Sequence, residues 1–275
     1  MICPNLYKVE FIILIPCYNN FSGLISSIQS IHYNEKKFFI VIVDDGSDEA
    51  VTIERIQQRI SVSLNIKVLS HINNQGITKA LNKGLEYIYT NFLPEYIARL
   101  DCGDICSPER FYKQINFFEK QPDVHLIGTW CYFKNNLTGE GYTYSTPVKH
   151  NTIKQKMHFK NVFIHPTVMW RVAGMGKLKY PEQYPFAEDY GLFYGMISKV
   201  KSAVINDFLV TCEINHNGIS ISNRSQQLKS RLKVIRDNSS NKLLLLFGVL
   251  KLYALILIPD GLFLRAKLKF SIIVQ

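Results

Sequence analysis

The chain has no CxxC pair, and its six cysteines (Cys3, Cys17, Cys102, Cys106, Cys131 and Cys212) are scattered through mostly apolar surroundings. That argues against a zinc ribbon and against a disulfide framework, so the thiols read as reduced and cytosolic. No G-x-G-x-x-G follows the first apolar run, and GMGKL (174–178) lacks both the spacing and the Ser/Thr of a P-loop. Dinucleotide and ATPase chemistry therefore lose their support. There is no internal repeat and no low-complexity linker. The start, MICPNLYKVEFIILIPCYNN, holds an apolar run of only about seven residues that stops in polar turn formers, which predicts a first strand rather than a signal peptide.

What is present suits a globular chain. At 275 residues, 47% hydrophobic and 20% charged, it has enough apolar material for one large domain or a domain with an appendage. The formal charge of +10 is concentrated at the end, where nine cations from Lys229 onward face only Asp237 and Asp260. A basic excess suits nucleic acid, anionic lipid or an anionic small substrate. Here the cations sit beside an apolar tail and do not alternate with aromatics, so nucleic acid is not the expected partner.

Apolar runs of strand length, FIILIP (11–16), FIVIV (39–43), IKVL (66–69) and YIARL (96–100), alternate with helical stretches around 21–32, 50–60 and 76–90. This predicts right-handed βαβ units and a mostly parallel sheet flanked by helices. Such sheets bind ligands at the carboxyl ends of their strands. Polar residues gather there: Asn19 and Asn20, then DDGSD (44–48), NNQG (73–76) and DCGD (101–104). Ser107, Pro108 and Glu109 predict a helix start with Ser107 as its cap. Further on, short strands and turns are expected to about 147, a helix near 149–157, a strand near HPTVMW (165–170) and a helix through 187–198.

The last part changes character, giving an expected division into a domain of residues 1–225 and a basic, apolar helical tail of residues 226–275. KLLLLFGVLKLYALILIP (242–259) is almost wholly apolar but short for a span, carries Lys251 in its middle and ends at Pro259. The favoured reading is a helix lying in a membrane interface with basic flanks drawn to anionic headgroups; a buried core helix and a true span are the alternatives.

Two carboxylates at a strand end suit a hard divalent ion whose other positions take water and phosphate oxygens. In DDGSD, Asp44 or Asp45 suits a base N–H or ribose hydroxyl, Gly46 permits a close turn, and Ser47 or Asp48 suits a helix cap. Either motif alone reads equally well as a loop of turn formers and caps. At successive ends of one sheet they point together to a nucleotide site.

In order, the motifs ILIPCYNN, VIVDDGSD, NNQGITKALNKGL, YIARLDCGDICSPERF and FAEDYGLF resemble inverting glycosyltransferases of family 2 with the GT-A fold, over roughly residues 10–225. The flavour is that of bacterial enzymes extending surface polysaccharides such as O-antigen and capsule. The resemblance implies that Pro16, Tyr18 and Asn19 line the nucleotide and that Asp44, with Asp45 beside it, reads the base. It also implies that Asn74, Gly76, Ala80, Asn82 and Gly84 form the helix start under the nucleotide, with Lys79 as a diphosphate contact. Asp101 matches the first acid of the Asp-x-Asp motif and implies Mn2+ or Mg2+ with a sugar nucleotide, UDP being the expected carrier. Relatives commonly carry Asp-Ala-Asp-Asp, whereas this chain has Asp101-Cys102-Gly103-Asp104, so either Asp104 substitutes as metal ligand or Asp101 binds the ion alone. Asp189 matches the base that deprotonates the acceptor, with Glu188 positioning it or the acceptor. His165 is expected to be a hydrogen-bonded structural residue.

The implied activity is transfer of a sugar from a nucleotide-diphosphate donor to a hydroxyl of a growing, lipid-linked glycan. It would take place in the cytoplasm, peripherally on the inner membrane's cytoplasmic face. The alternatives are a non-catalytic membrane- or glycan-binding protein that keeps the GT-A fold, and a sugar nucleotidyltransferase.

Overall fold

The computed structural model describes residues 6–62, 64–136, 138–214 and 223–258. Cys3, Pro259, Asp260, Arg265, Lys267 and Lys269, which entered the reading of the two ends, lie outside the described residues. The four anticipated strands are β1 (Tyr7–Cys17), β2 (Phe38–Asp44), β3 (Ile66–Ser70) and β4 (Phe92–Arg99). They pair in parallel in the order β3-β2-β1-β4. Helices α1 (Phe21–Gln29), α2 (Ile53–Gln57) and α3 (Ile77–Asn91) make the connections.

Both faces of β2 and of the middle of β1 are buried, which is why those strands read as unbroken apolar runs, whereas β3 is an edge strand with Lys67 and Ser70 exposed. Side chains alternate between the faces. Ile12, Leu14, Val41 and Val43 join the core under α3, while Phe11, Ile13, Ile15, Ile40 and Ile42 join the core that holds Leu24, Ile25 and Ile28 of α1. Gly84 lets α3 lie close on the sheet, since a Cβ there would stand 2.3 Å from Leu14 Cδ1 and 3.0 Å from Val43 Cγ2. Gly84→Val is expected to destabilise the protein by about 1–3 kcal/mol through overpacking, read as a lower urea midpoint. An unchanged midpoint would mean that α3 lifts off without loss.

Beyond β4 the sheet continues through β8 (Met169–Arg171), β6 (Val124–Lys134), β9 (Lys201–Glu213) and the two-residue β5 (Ile105–Cys106), with β7 (Gly141–Tyr144) on β6. β8 joins β4 and β6 antiparallel, whereas β6 and β9 run parallel. α4 (Arg110–Lys120) and α5 (His150–Lys156) cover this half, and α6 (Glu188–Ile197) follows.

Four local expectations are corrected or extended. Helix α4 starts at Arg110 with Glu109 at the cap position, and Ser107 belongs to the β5–β9 join, where its N–H is donated to Leu209 O. Residues 165–167 form a 3-10 turn, and only Met169–Arg171 pairs as strand. The stretch to about 147 holds the expected short strands, β5 and β7, and in addition one of eleven residues, β6. Helix α2 is capped by Thr52 and not by Ser47 or Asp48, since Ser47 Oγ instead accepts the Asn19 N–H at 2.9 Å.

In the tail, α7 (Arg224–Asn238) contributes Leu228, Leu232, Val234 and Ile235 to the core that holds α6. The expected division at 225/226 therefore falls inside a helix of the main body. α8 (Lys242–Leu257) docks through Gly248 and Leu252 and leaves Leu243, Leu246, Phe247, Leu250, Tyr253 and Leu257 exposed. Among the described residues no helix is long and apolar enough to cross a membrane.

Candidate functional site

The site lies where β1, β2 and β4 end and α6 begins. At the end of β1, Asn19 takes a left-handed φ of 48°, a conformation its short amide tolerates. Its side chain is locked to the next loop: Nδ2 donates to Asp48 Oδ2 at 3.1 Å and Oδ1 accepts the Asp48 N–H at 2.9 Å. Tyr18 is half exposed beside it, and Pro16 is in register with Val43 inside the sheet.

At the end of β2 both acids are buried and used. Asp44 accepts the N–H groups of Ser47 at 3.1 Å and Val51 at 3.0 Å, so it shapes its own loop. Asp45 reaches across to the next strand end, where it bonds His71 Nδ1 at 2.7 Å, Gln75 N–H at 3.0 Å and Gly76 N–H at 2.8 Å. The left-handed φ of 89° at Gly76 turns that N–H toward the acid. Lys79 stands exposed in the first turn of α3. Asn82 clamps the far segment onto this helix, trading hydrogen bonds with the backbone of Tyr180 at 3.0 and 2.7 Å.

Arg99, fully buried at the end of β4, donates to Leu14 O, to Asp101 Oδ1 and, at 3.3 Å, to His165 Nε2. A guanidinium only donates, so His165 Nε2 is an acceptor and the ring is neutral. It also stands 2.8 Å from the Tyr180 hydroxyl, and burial, helped by the Arg99 charge, pushes its pKa down to about 3. His165 thus has the structural role expected of it.

Asp101 remains about one-third exposed and faces the space above the strand ends. Asp104 is placed differently from the acid envisaged as its metal partner: it is 7% exposed, and its Oδ1 accepts the Glu213 N–H at 2.9 Å. Burial, reinforced by the Asp101 charge, holds its pKa well above the usual carboxylate range.

Glu188 and Asp189 open α6. Asp189 Oδ2 accepts from Asn161 Nδ2 at 2.9 Å and Oδ1 from the Tyr190 N–H at 2.6 Å. Burial raises its pKa to about 6 against those two hydrogen bonds, and the Asp101 charge adds to the rise. Glu188, raised to about 7 by burial and by Asp189, has a buried Oε2 with no hydrogen-bond partner. Arg99, bonded to Asp101 and to His165, and the His165 ring, 5.8 Å from that of Phe193 on α6, join the ends of β4 and α6.

Sequence reasoning missed Arg99, His71, Asn161 and Glu213. His71 follows β3 directly, and the strand-end rule could have found it. Arg99 was hidden as a strand residue in YIARL. Nothing local marks Asn161 or Glu213.

The donor chemistry suits Mn2+ or Mg2+: hard carboxylate oxygens at Asp101 and, filling the space where a Cβ of residue 103 would stand, Glu213 Oε2, 2.6 Å from that position. The described residues contain no group of three or more His, Cys, Asp or Glu placed to hold a metal. A cation using one or two carboxylates plus substrate phosphate needs no such group.

The sheet flanked by helices, with acids and amides gathered at the ends of its parallel strands, has GT-A architecture. The glycosyl transferase family 2 profile matches residues 12–175, and the chain belongs to that family. The chain is 31% identical over 193 residues, 68% of its length and 70% of the relative's, to the amylovoran biosynthesis glycosyltransferase AmsE of Erwinia amylovora. Its fold is similar to S. aureus TarS 1–349 in complex with UDP-GlcNAc (TM-score 0.68, 17% identity, 90% of this chain and 73% of that one). It is also similar to the mannosyltransferase PcManGT of Pyrobaculum calidifontis with GDP-Man and Mn2+ (TM-score 0.63, 15% identity, 97% and 81%).

Proposed function

We propose that this glycosyltransferase moves one sugar, with inversion, from a UDP-sugar to a hydroxyl of a growing, lipid-linked surface glycan. The observation that carries the reading is the chain of contacts from the end of β4 to α6: Arg99 holds Asp101 and reaches His165 Nε2 at 3.3 Å, and the His165 ring stands 5.8 Å from that of Phe193 on the helix that Glu188 and Asp189 open. A donor side and a base side thereby face each other. Pro16, Tyr18, Asn19 and Asp44 border the base and ribose, and Asp45 holds the loop that brings Gly76 and Lys79 toward the diphosphate. The UDP-GlcNAc complex of TarS supports a nucleotide-sugar donor, and the Mn2+ of PcManGT supports a divalent cation. Asp101 would contribute to holding that cation. When bound, it supplies positive charge against the departing diphosphate.

Asp189 takes the acceptor hydroxyl's proton on the face opposite the leaving group. Asn161 fixes the carboxylate's orientation, and burial lifts its basicity to near the working pH. Glu188, raised to about 7 and so protonated in part at neutral pH, can offer its unpartnered oxygen to an acceptor hydroxyl. Amylovoran biosynthesis by AmsE supports a polysaccharide product. The exposed apolar face of α8, with Lys242 and Lys251 on the helix, supports peripheral binding at an anionic membrane surface on the cytoplasmic side.

The test is stereochemical. Product from an α-linked UDP-sugar and a diphospholipid-linked acceptor is followed by NMR, and a β-linkage is expected. An α-linkage removes Asp189 as an inverting base. UDP-sugar binding without transfer to any glycan would favour the non-catalytic alternative.

A further inference from the structure

The strand-end stretch Asp101-Cys102-Gly103-Asp104 has no side chain at its third position. The structure shows what stands in that place. Gly103 has φ 103°, a conformation open to glycine and strained for other residues. A Cβ built on it would lie 2.6 Å from Glu213 Oε2 and 3.4 Å from Asn20 Nδ2. A side chain at 103 and the Glu213 carboxylate therefore compete for one space. Glu213 comes from the last residue of β9, 110 residues further along the chain.

From this juxtaposition we infer that Glu213 supplies the second carboxylate for the divalent cation, replacing in space the acid that is absent at position 103, with Asp104 as its brace. The inference deepens the proposed metal-assisted sugar transfer and rests on that reading. Three observations bear on it. Glu213 is exposed, and its carboxylate has no hydrogen-bond or ion-pair partner among the described residues, so its oxygens are available. Asp104, the alternative second ligand, is buried and accepts the Glu213 N–H at 2.9 Å, which fixes the end of β9 beside Gly103. Asp101 is ion-paired with buried Arg99, so much of its charge is already balanced. A dication beside that pair meets little net negative charge unless a second carboxylate stands near, and Glu213 is the uncommitted one.

The same carboxylate borders a cleft of about 490 Å³ lined by Ile105, Tyr132, Lys134 and Asn136 on the β5, β6 and β9 side. Position 213 therefore joins the metal site to open space large enough for a sugar.

The experiment measures Mn2+ binding to the full chain with saturating UDP, from the loss of the free Mn2+ electron paramagnetic resonance signal. UDP affinity in EDTA is measured in parallel. Glu213→Gln, an exposed near-isosteric change, is expected to weaken Mn2+ by about tenfold or more, since loss of even an outer partner of a metal ligand costs about 10- to 100-fold. UDP affinity in EDTA should stay at the wild-type value, which also reports correct folding. Asp104→Asn keeps an oxygen for the Glu213 N–H and is expected to weaken Mn2+ far less. Wild-type Mn2+ affinity in Glu213→Gln, or a greater loss in Asp104→Asn, overturns the assignment. Wild-type protein that binds UDP and no Mn2+ also overturns it, yet leaves the transferase reading intact. If UDP itself fails to bind, both fall.

Discussion

Replacing Asp189 with asparagine is expected to lower kcat by about 100- to 10,000-fold, the range in which a positioned general base contributes, while UDP-sugar affinity stays near that of the wild type. The side chain keeps its shape and one oxygen, which can accept from Asn161 or from the Tyr190 N–H but not from both, so the loss includes one lost hydrogen bond as well as the proton acceptor, and the unchanged UDP-sugar affinity checks that the site is intact. A second readout comes from pH. Burial raises Asp189 to about 6 and Glu188 to about 7, so the basic form is lost as pH falls through this window. Activity should drop about tenfold per unit below it, with apparent values that belong to the pair rather than to either acid. The limb should vanish or shift in Asp189→Asn. Turnover within a factor of ten of wild type, with the limb in place, would remove Asp189 from the base role.

The second large effect is expected at Asp45. Its carboxylate takes three donors from the loop after β3: His71 Nδ1 and the N–H groups of Gln75 and Gly76. Asp45→Ala leaves these donors unpaired near the start of α3 and empties the space that the carboxylate filled. A loss of about 3 kcal/mol or more is expected, since each buried donor left without its acceptor costs about 1–3 kcal/mol. Urea denaturation reads this directly, and UDP titration of the folded fraction should show weaker binding because Gly76 and Lys79 lose their position. Asp44→Ala removes two hydrogen bonds that stay within the β2 loop. It should therefore cost less stability than Asp45→Ala; the reverse order would mean that the second loop is held by other contacts.

Legibility in the sequence followed the range of the interactions. β1 through β4 and α1 through α3 were readable because a strand buried on both faces is a run of apolar residues and a helix repeats at its own period. The polar ends of those strands were readable for the same reason: a chain leaving a parallel sheet must turn there, and turn formers mark the place. β9 was not read, because KSAVINDFLVTCE carries polar residues on a partly exposed edge and lacks a continuous apolar run. Ser107 misled because a cap signal is local, whereas its N–H was claimed by Leu209 from 102 residues away.

The same distinction separates the two halves of the site. By itself the sequence determined the order of the βαβ units, the acids at the ends of β2 and β4, and the acidic pair at the start of α6, since each is a short-range pattern with one physical meaning. Only the tertiary structure decided what each acid does. Asp44 and Asp45 hold loops, Asp104 is drawn into the β5–β9 join, Asp101 is paired with Arg99, and Glu213 arrives above Gly103 from the far edge of the sheet. Burial and charge at a carboxylate come from residues tens to hundreds of positions away. Until the chain folds, those neighbours are absent, and so are the pKa shifts and hydrogen bonds that distinguish one acid from another.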